Sequence, residues 1–150
     1  MKFAKIAAAS AAALMAIGLS PVVANASDPT VQVVNTFYSL GTDRCMDDSH
    51  LGFRTFPCNP ENYQKWEVIP SQGYRQFKNL ATGRCITDGP RGFNTQPCVT
   101  NDRTQQWGVI KHHEVRMTFR LRDRNRCIDD SNDSGFRTTS CNGGEYQDWV

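Results

Sequence analysis

Beyond its first 26 residues the chain has no stretch long and apolar enough to span a bilayer, and no segment carries a helical period. An excess of charge is missing too. Seventeen Lys and Arg stand against fifteen Asp and Glu, and the difference is Lys2 and Lys5. Residues 27–150 are therefore formally neutral with His uncharged, which gives no sign of a polyanion partner such as nucleic acid. The nucleophile signature G-x-S-x-G and a His-rich metal signature are both absent. No two cysteines fall two to four residues apart, as zinc sites require, and the glycine-marked twelve-residue calcium loop is missing. No metal or other cofactor is expected, and these absences leave a binding protein as the default.

What the chain does have is repetition. Arg84-Cys85-Ile86, Gly92-Phe93-Asn94-Thr95, Pro97-Cys98 and Gln105-Gln106-Trp107 form one unit. Upstream the same order reads Arg44-Cys45-Met46, Gly52-Phe53-Arg54-Thr55, Pro57-Cys58 and Gln64-Lys65-Trp66; downstream it reads Arg126-Cys127-Ile128, Gly135-Phe136-Arg137-Thr138, Ser140-Cys141 and Gln147-Asp148-Trp149. All three Trp and all six Cys fall on this pattern. A unit of about forty residues repeated in register signals a repeat architecture, with units at about 31–70, 71–111 and 112–150.

Residues 1–26 are expected to lie outside that architecture. Lys2 and Lys5 precede an apolar, alanine-rich run from Ile6 to Leu19, and Pro21 breaks it ahead of Ala24-Asn25-Ala26. This order is that of a secretory signal peptide cleaved before Ser27, so the expected location is secreted, with no membrane span after cleavage.

Export implies oxidised cysteines. Six cysteines allow 15 pairings. The repeat selects one, because any other treats equivalent units differently: Cys45–Cys58, Cys85–Cys98 and Cys127–Cys141. Each bridge contributes about 3 kcal/mol in the chain-entropy account.

Val31, Val33, Asn35 and Phe37 alternate as a half-buried strand requires, and Val115, Met117 and Phe119 do the same. A second strand starts at each first cysteine. Loops are expected over 47–52, 88–92 and 129–135, then a third strand at the Gly-Phe-x-Thr run and a fourth at Q-x-W. Twelve short strands in three units, none able to bury its apolar face alone, predict an all-β fold. The architecture is a β-trefoil, a six-stranded barrel capped by three hairpins. Trp66, Trp107, Trp149, Phe53, Phe93 and Phe136 are its expected core.

Three cysteine-paired units that each close on Q-x-W resemble the ricin-type lectin domain across residues 27–150. The resemblance implies a sugar pocket in each unit: Asp two residues after the first cysteine, an aromatic two before the second, and a polar residue, usually Asn, before the Gln. The carboxylate accepts hydroxyl protons, the ring packs on a pyranose C–H face, and the amide fixes a further hydroxyl. The first unit has Asp47 and Phe56, with Tyr63 at the third position and Asn62 one residue off register. The second has Thr87 beside Asp88, then Gln96 and Thr104. The third has Asp129, Thr139 and Tyr146. Tyr63 and Tyr146 supply a ring or a hydroxyl in a rearranged pocket. The implied carbohydrate-binding residues are thus Asp47, Phe56, Tyr63, Asp129 and Tyr146. The first unit is the expected binder, with Asp47 exposed and the 47–52 loop as one pocket wall.

Plainer readings stand beside these. An Asp after a strand also caps a turn. Asp47-Asp48 and Asp129-Asp130, with Ser131 and Asp133, are weighed against calcium, and His112-His113-Glu114 against a metal or catalytic cluster; a solvated turn is the default for the latter. Arg116 to Arg126 read as a solvated strand face. The carboxylates recur once per unit, whereas a glycosidase uses one asymmetric pair. The expectation is a non-catalytic, lectin-like protein binding galactose- or xylan-type glycans or glycoconjugates weakly, with avidity from several sites. The alternative is a protein partner, for a trefoil acting as receptor-docking subunit of a secreted toxin or as a protease inhibitor.

Overall fold

The computed structural model describes residues 32–113 and 115–150. The expected signal peptide lies outside the described residues, as do Val31 and Glu114. Among the described residues eleven strands run in chain order: β1 Val34–Asn35, β2 Arg44–Ser49, β3 Gly52–Pro57, β4 Trp66–Ser71, β5 Tyr74–Asn79, β6 Arg84–Gly89, β7 Gly92–Pro97, β8 Trp107–Lys111, β9 Met117–Leu121, β10 Cys127–Ser131 and β11 Gly135–Thr139. Short 3-10 turns at Asn62–Gln64, Arg103–Gln105 and Glu145–Gln147 lead into the three Trp positions.

The topology is the expected β-trefoil. β1, β4, β5, β8 and β9 pair antiparallel in that order, and Trp149 bridges β9 at Met117 and the first unit at Ser39, closing the barrel. Hairpins β2–β3, β6–β7 and β10–β11 cap it. The twelfth expected strand is reduced to Trp149 and Val150, with Val150 and Tyr38 exchanging 2.9 Å backbone hydrogen bonds. The three disulfides pair within units, as the repeat requires.

The core repeats threefold because the sequence does. Phe37, Phe77 and Phe119 form one edge-to-face triad with centroids 4.9–5.0 Å apart. Phe53, Phe93 and Phe136 form a second at 4.8–5.1 Å. Such geometry aligns ring edges with ring faces. Trp66, Trp107 and Trp149 are fully buried, and each indole Nε1 donates to a backbone carbonyl of its own unit, that of Met46, Ile86 or Ile128, at 3.1–3.2 Å. The leading strands reach this core only at their ends. Val33 and Val115 are exposed while Phe37 and Phe119 are buried.

Two expectations about the hairpins are corrected. The segments 47–52, 88–92 and 129–135 are mostly strand: Ser49 pairs Gly52, Gly89 pairs Gly92 and Ser131 pairs Gly135. Gly52, Gly92 and Gly135 hold φ of 97°, 80° and 72°, a backbone region glycine enters without a Cβ penalty, so the chain reverses within two or three residues. Asp47 is consequently on β2 and 3% exposed, not on a solvated loop.

Asp48, Asp88 and Asp130 tie the units together. Asp48 accepts Arg84 Nε at 3.1 Å, Arg84 Nη2 at 2.6 Å and Thr95 Oγ1 at 2.9 Å, and also the Thr82 hydroxyl. Asp130 accepts Arg44 Nη2 at 3.3 Å, Thr55 Oγ1 at 3.0 Å and the Thr42 hydroxyl. Asp88 accepts Arg126 Nε at 2.6 Å and Thr138 Oγ1 at 2.8 Å. First grips second, second grips third, and third grips first. The carboxylates of Asp48 and Asp130 are spent on this ring rather than turned toward a cation. The arginines from 116 to 126 are likewise not a plain solvated face: Arg116 pairs with Asp148, Arg122 donates to Gln72 and Gln106, and Arg126 holds Asp88.

Candidate functional site

Each unit presents the outer face of its capping hairpin over the Gln of Q-x-W. Alternation along β2 and β3 places Cys45, Asp47, Arg54 and Phe56 on that face and Met46, Asp48, Phe53 and Thr55 on the core side. Gln64 braces the first unit from beneath, donating Nε2 to Pro57 O at 3.1 Å and to Asp47 Oδ2 at 3.3 Å while its Oε1 accepts Asn59 N at 2.8 Å. Gln105 and Gln147 repeat this bracing toward Pro97 O and Ser140 O. The Trp are core, as expected, and the Gln are scaffold.

The three faces differ above that shared floor. In the first, Arg54 stands directly opposite Asp47, its Nε 3.5 Å from Asp47 Oδ1, and its guanidinium covers the Phe56 ring at 4.2 Å from the centroid. Phe56 and Tyr63 are 40% and 37% exposed, so both aromatic side chains reach solvent, while Asp47 is buried. Asp47 Oδ1 and Arg54 Nε are both buried and make no hydrogen bond. The Tyr63 carbonyl accepts Asn79 Nδ2 at 2.7 Å, which fixes the backbone of its turn, and Asn62 turns to Lys65.

In the third unit Asp129 is also 3% exposed; it accepts Gln147 Nε2 at 3.3 Å and Arg137 Nε at 3.4 Å. Thr139 sits opposite Cys127 in place of an aromatic. Tyr146 is half-buried across the unit boundary, its ring packed where a Cβ on Gly41 would stand. Its ring thus packs the third unit against the first.

The second unit has neither the carboxylate nor the arginine. Thr87 Oγ1 donates to Thr104 Oγ1 at 3.0 Å, and Thr104 Oγ1 to Asp102 Oδ1 at 2.8 Å. Gln96 Nε2 turns to Asn94 Oδ1 at 3.0 Å. With these short side chains bonded to one another, a cavity of about 320 Å³ remains, lined by Thr87, Pro90, Gln96, Val99 and Thr104 among others. Asp88 does not stand in for the missing Asp, since it lies on the opposite face of the hairpin from Thr87 and holds Arg126.

Sequence reasoning missed Arg54 and Arg137. The signal was available: the glycine turns set a register in which 47 faces 54 and 129 faces 137. His112 Nε2 hydrogen-bonds Thr118 Oγ1 at 2.8 Å, which ties its turn to β9. No group of three or more metal-ligating side chains occurs among the described residues, and none of their helices is long and apolar enough to cross a membrane.

Comparison with known proteins agrees with this geometry. The sequence model described as ricin-type beta-trefoil lectin domain-like matches residues 62–138. No curated protein sequence matches the chain. Among solved structures, the designed 3-fold symmetric protein ThreeFoil is similar with a TM-score of 0.68 at 16% identity, over 77% of this chain and 95% of that one. The GlcNAcα1-4Gal releasing endo-β-galactosidase from Clostridium perfringens gives 0.71 at 15% identity, over 78% of this chain and 31% of the enzyme. The cytolethal distending toxin from Actinobacillus actinomycetemcomitans gives 0.64 at 16%, over 77% of this chain and 89% of that chain. At such identities the likeness is one of fold.

Proposed function

Since the chain belongs to the ricin-type β-trefoil lectin domain-like family, we propose that it is a secreted, non-catalytic carbohydrate-binding protein that takes galactose- or xylan-type glycans weakly at each site. The observation that carries this reading is Asp47 Oδ1, a buried carboxylate oxygen that meets Arg54 Nε only at 3.5 Å and makes no hydrogen bond, next to the exposed Phe56 ring. A buried acceptor left unsatisfied is costly. A sugar hydroxyl supplies the missing donor in a charge-assisted bond, and Phe56 offers a face for the pyranose once the Arg54 guanidinium shifts aside. Tyr63 forms the far side of the same pocket. Asp129 serves a second, weaker site, with Tyr146 at its edge.

The test is a glycan array followed by titration of the best hit against Asp47→Asn. The isosteric amide keeps the volume of this buried side chain, so the melting temperature is a fair control. Loss of charge-assisted bonds worth roughly 1.5–3 kcal/mol weakens binding about ten- to hundred-fold. Unchanged affinity in Asp47→Asn defeats the first-unit site. The protein-binding reading is favoured by Arg54 itself, which covers the ring a sugar needs. It gains if no glycan binds and a secreted protein is retained through Arg54 and Phe56.

A further inference from the structure

The cavity of the second unit does not end at that unit. Pro90, Gly89, Gly92 and Thr104 also line a concavity of about 510 Å³ that runs on to Arg124 and Arg126 of the third unit. Thr104 and Arg124 lead in turn to a hollow walled by Arg103 and Arg122. The three hollows adjoin through these shared residues and form a row, hereafter the groove, across the boundary between the second and third units. Its neutral, partly apolar end lies at Val99 and Pro90, and its other end is lined by guanidinium groups.

The charge balance of this groove is unlike that of the rest of the molecule. Five arginines line it against three aspartates, on a chain whose residues 27–150 are formally neutral. The aspartates are engaged: Asp88 with Arg126, Asp123 with Arg103 and Arg122, and Asp102 with the Thr104 amide and hydroxyl. Arg91 and Arg124 have no carboxylate partner among the described residues. Arg124 occupies the place, three residues before the first cysteine, where the other units carry Thr42 and Thr82. Those threonines spend their hydroxyls on Asp130 and Asp48, whereas Arg124 is exposed beside the groove. The arginines of the first and third faces, by contrast, are matched internally to Asp47 and Asp129.

We propose that this groove binds a pyranose carrying an anionic substituent, a carboxylate or a sulfate ester. The ring sits over Pro90 and Val99 with its hydroxyls toward Thr87, Gln96 and Thr104, and the acidic group lies against Arg124. A guanidinium matches either anion with paired, charge-assisted hydrogen bonds. The cavity is at the small end of ligand sites, which span about 300–1,000 Å³, and that suits one monosaccharide. The inference rests on the lectin reading and adds to it a further site with its own ligand class, one that lacks the Asp and aromatic pair.

A matched set of sugars differing only at C6 tests it: galactose, galacturonic acid and galactose 6-sulfate, titrated calorimetrically into the intact protein. One or both acidic sugars should bind about tenfold or more tighter than galactose at low salt, with the advantage shrinking as ionic strength rises. The two acidic arms tell carboxylate from sulfate. Arg124→Gln should bring the preferred acid level with galactose without moving the melting temperature. Equal binding of acidic and neutral sugars, or an acid preference that survives Arg124→Gln, overturns the proposal. If galactose binds through Asp47 with no acid preference, only this inference falls; if no sugar binds at all, the lectin reading falls with it.

Discussion

Arg84 in the second unit lays Nε and Nη2 against the two carboxylate oxygens of Asp48 in the first, at 3.1 and 2.6 Å. This fork-on-carboxylate grip is the strong form of an ion pair. Asp48 is fully buried, and two threonine hydroxyls complete its shell. The Asp88–Arg126 contact between the second and third units is thinner, because Arg124 stands where a threonine would bond the carboxylate.

Unit coupling should follow that inequality. Asp48→Ala is expected to cost roughly 3 kcal/mol, the scale of charged hydrogen bonds left unmade at a buried site. Asp88→Ala should cost clearly less. Urea unfolding of both variants measures the difference, and equal losses would show that the threonines add nothing.

The Trp positions are the second test. Trp107 is fully buried and donates its indole proton to Ile86 O at 3.1 Å. Trp107→Ala should therefore cost about 3–5 kcal/mol, as large-to-small changes at buried aromatics do. A melting temperature that barely moves would mean that the side chain is not part of the shared core.

Gly41 gives a third. A Cβ there meets the Tyr146 ring and also its Cα at 3.0 Å, so rotating the ring alone does not relieve it. Gly41→Ala should cost about 1–3 kcal/mol, the usual range for overpacking. Adding Tyr146→Ala should recover part of that loss, since contacting sites are not additive. Strict additivity in the double-mutant cycle would place Tyr146 elsewhere.

Much of the fold was legible because its determinants recur in every copy. The paired cysteines, the closing Trp and the Gly-Phe of each third strand gave units, pairing and core. The boundary clamps were legible in the same way and were passed over. Arg44, Arg84 and Arg126 precede each first cysteine, Asp48, Asp88 and Asp130 follow it by three, and Thr55, Thr95 and Thr138 lie in each third strand. Residues present in all three copies serve the symmetry. Asp47 and Asp129, with Thr between them at 87, break the pattern, and such breaks mark where the units are free to differ. Less was legible at the candidate site. Taking 47–52 as a loop put Asp47 in solvent, whereas the Gly52 turn draws it onto β2 and into register with Arg54. The Arg54 guanidinium over Phe56 depends on side-chain geometry that one-dimensional spacing does not carry. The groove at Arg124 depends on three segments from two units meeting.

Closure of the barrel also has a consequence for connectivity. Val150 and Tyr38 are hydrogen-bonded neighbours, and Leu40 N donates to Asp148 O at 3.0 Å, so the segments 38–40 and 148–150 are paired through their backbones. The clamps run around the axis without a seam. A circular permutant, joined by a short linker from Val150 to the start of β1 and reopened at the Gln72–Gly73 turn, retains every carboxylate–guanidinium grip and all three bridges. The order in which a ribosome would deliver the units is thus separable from the order in which they hold one another.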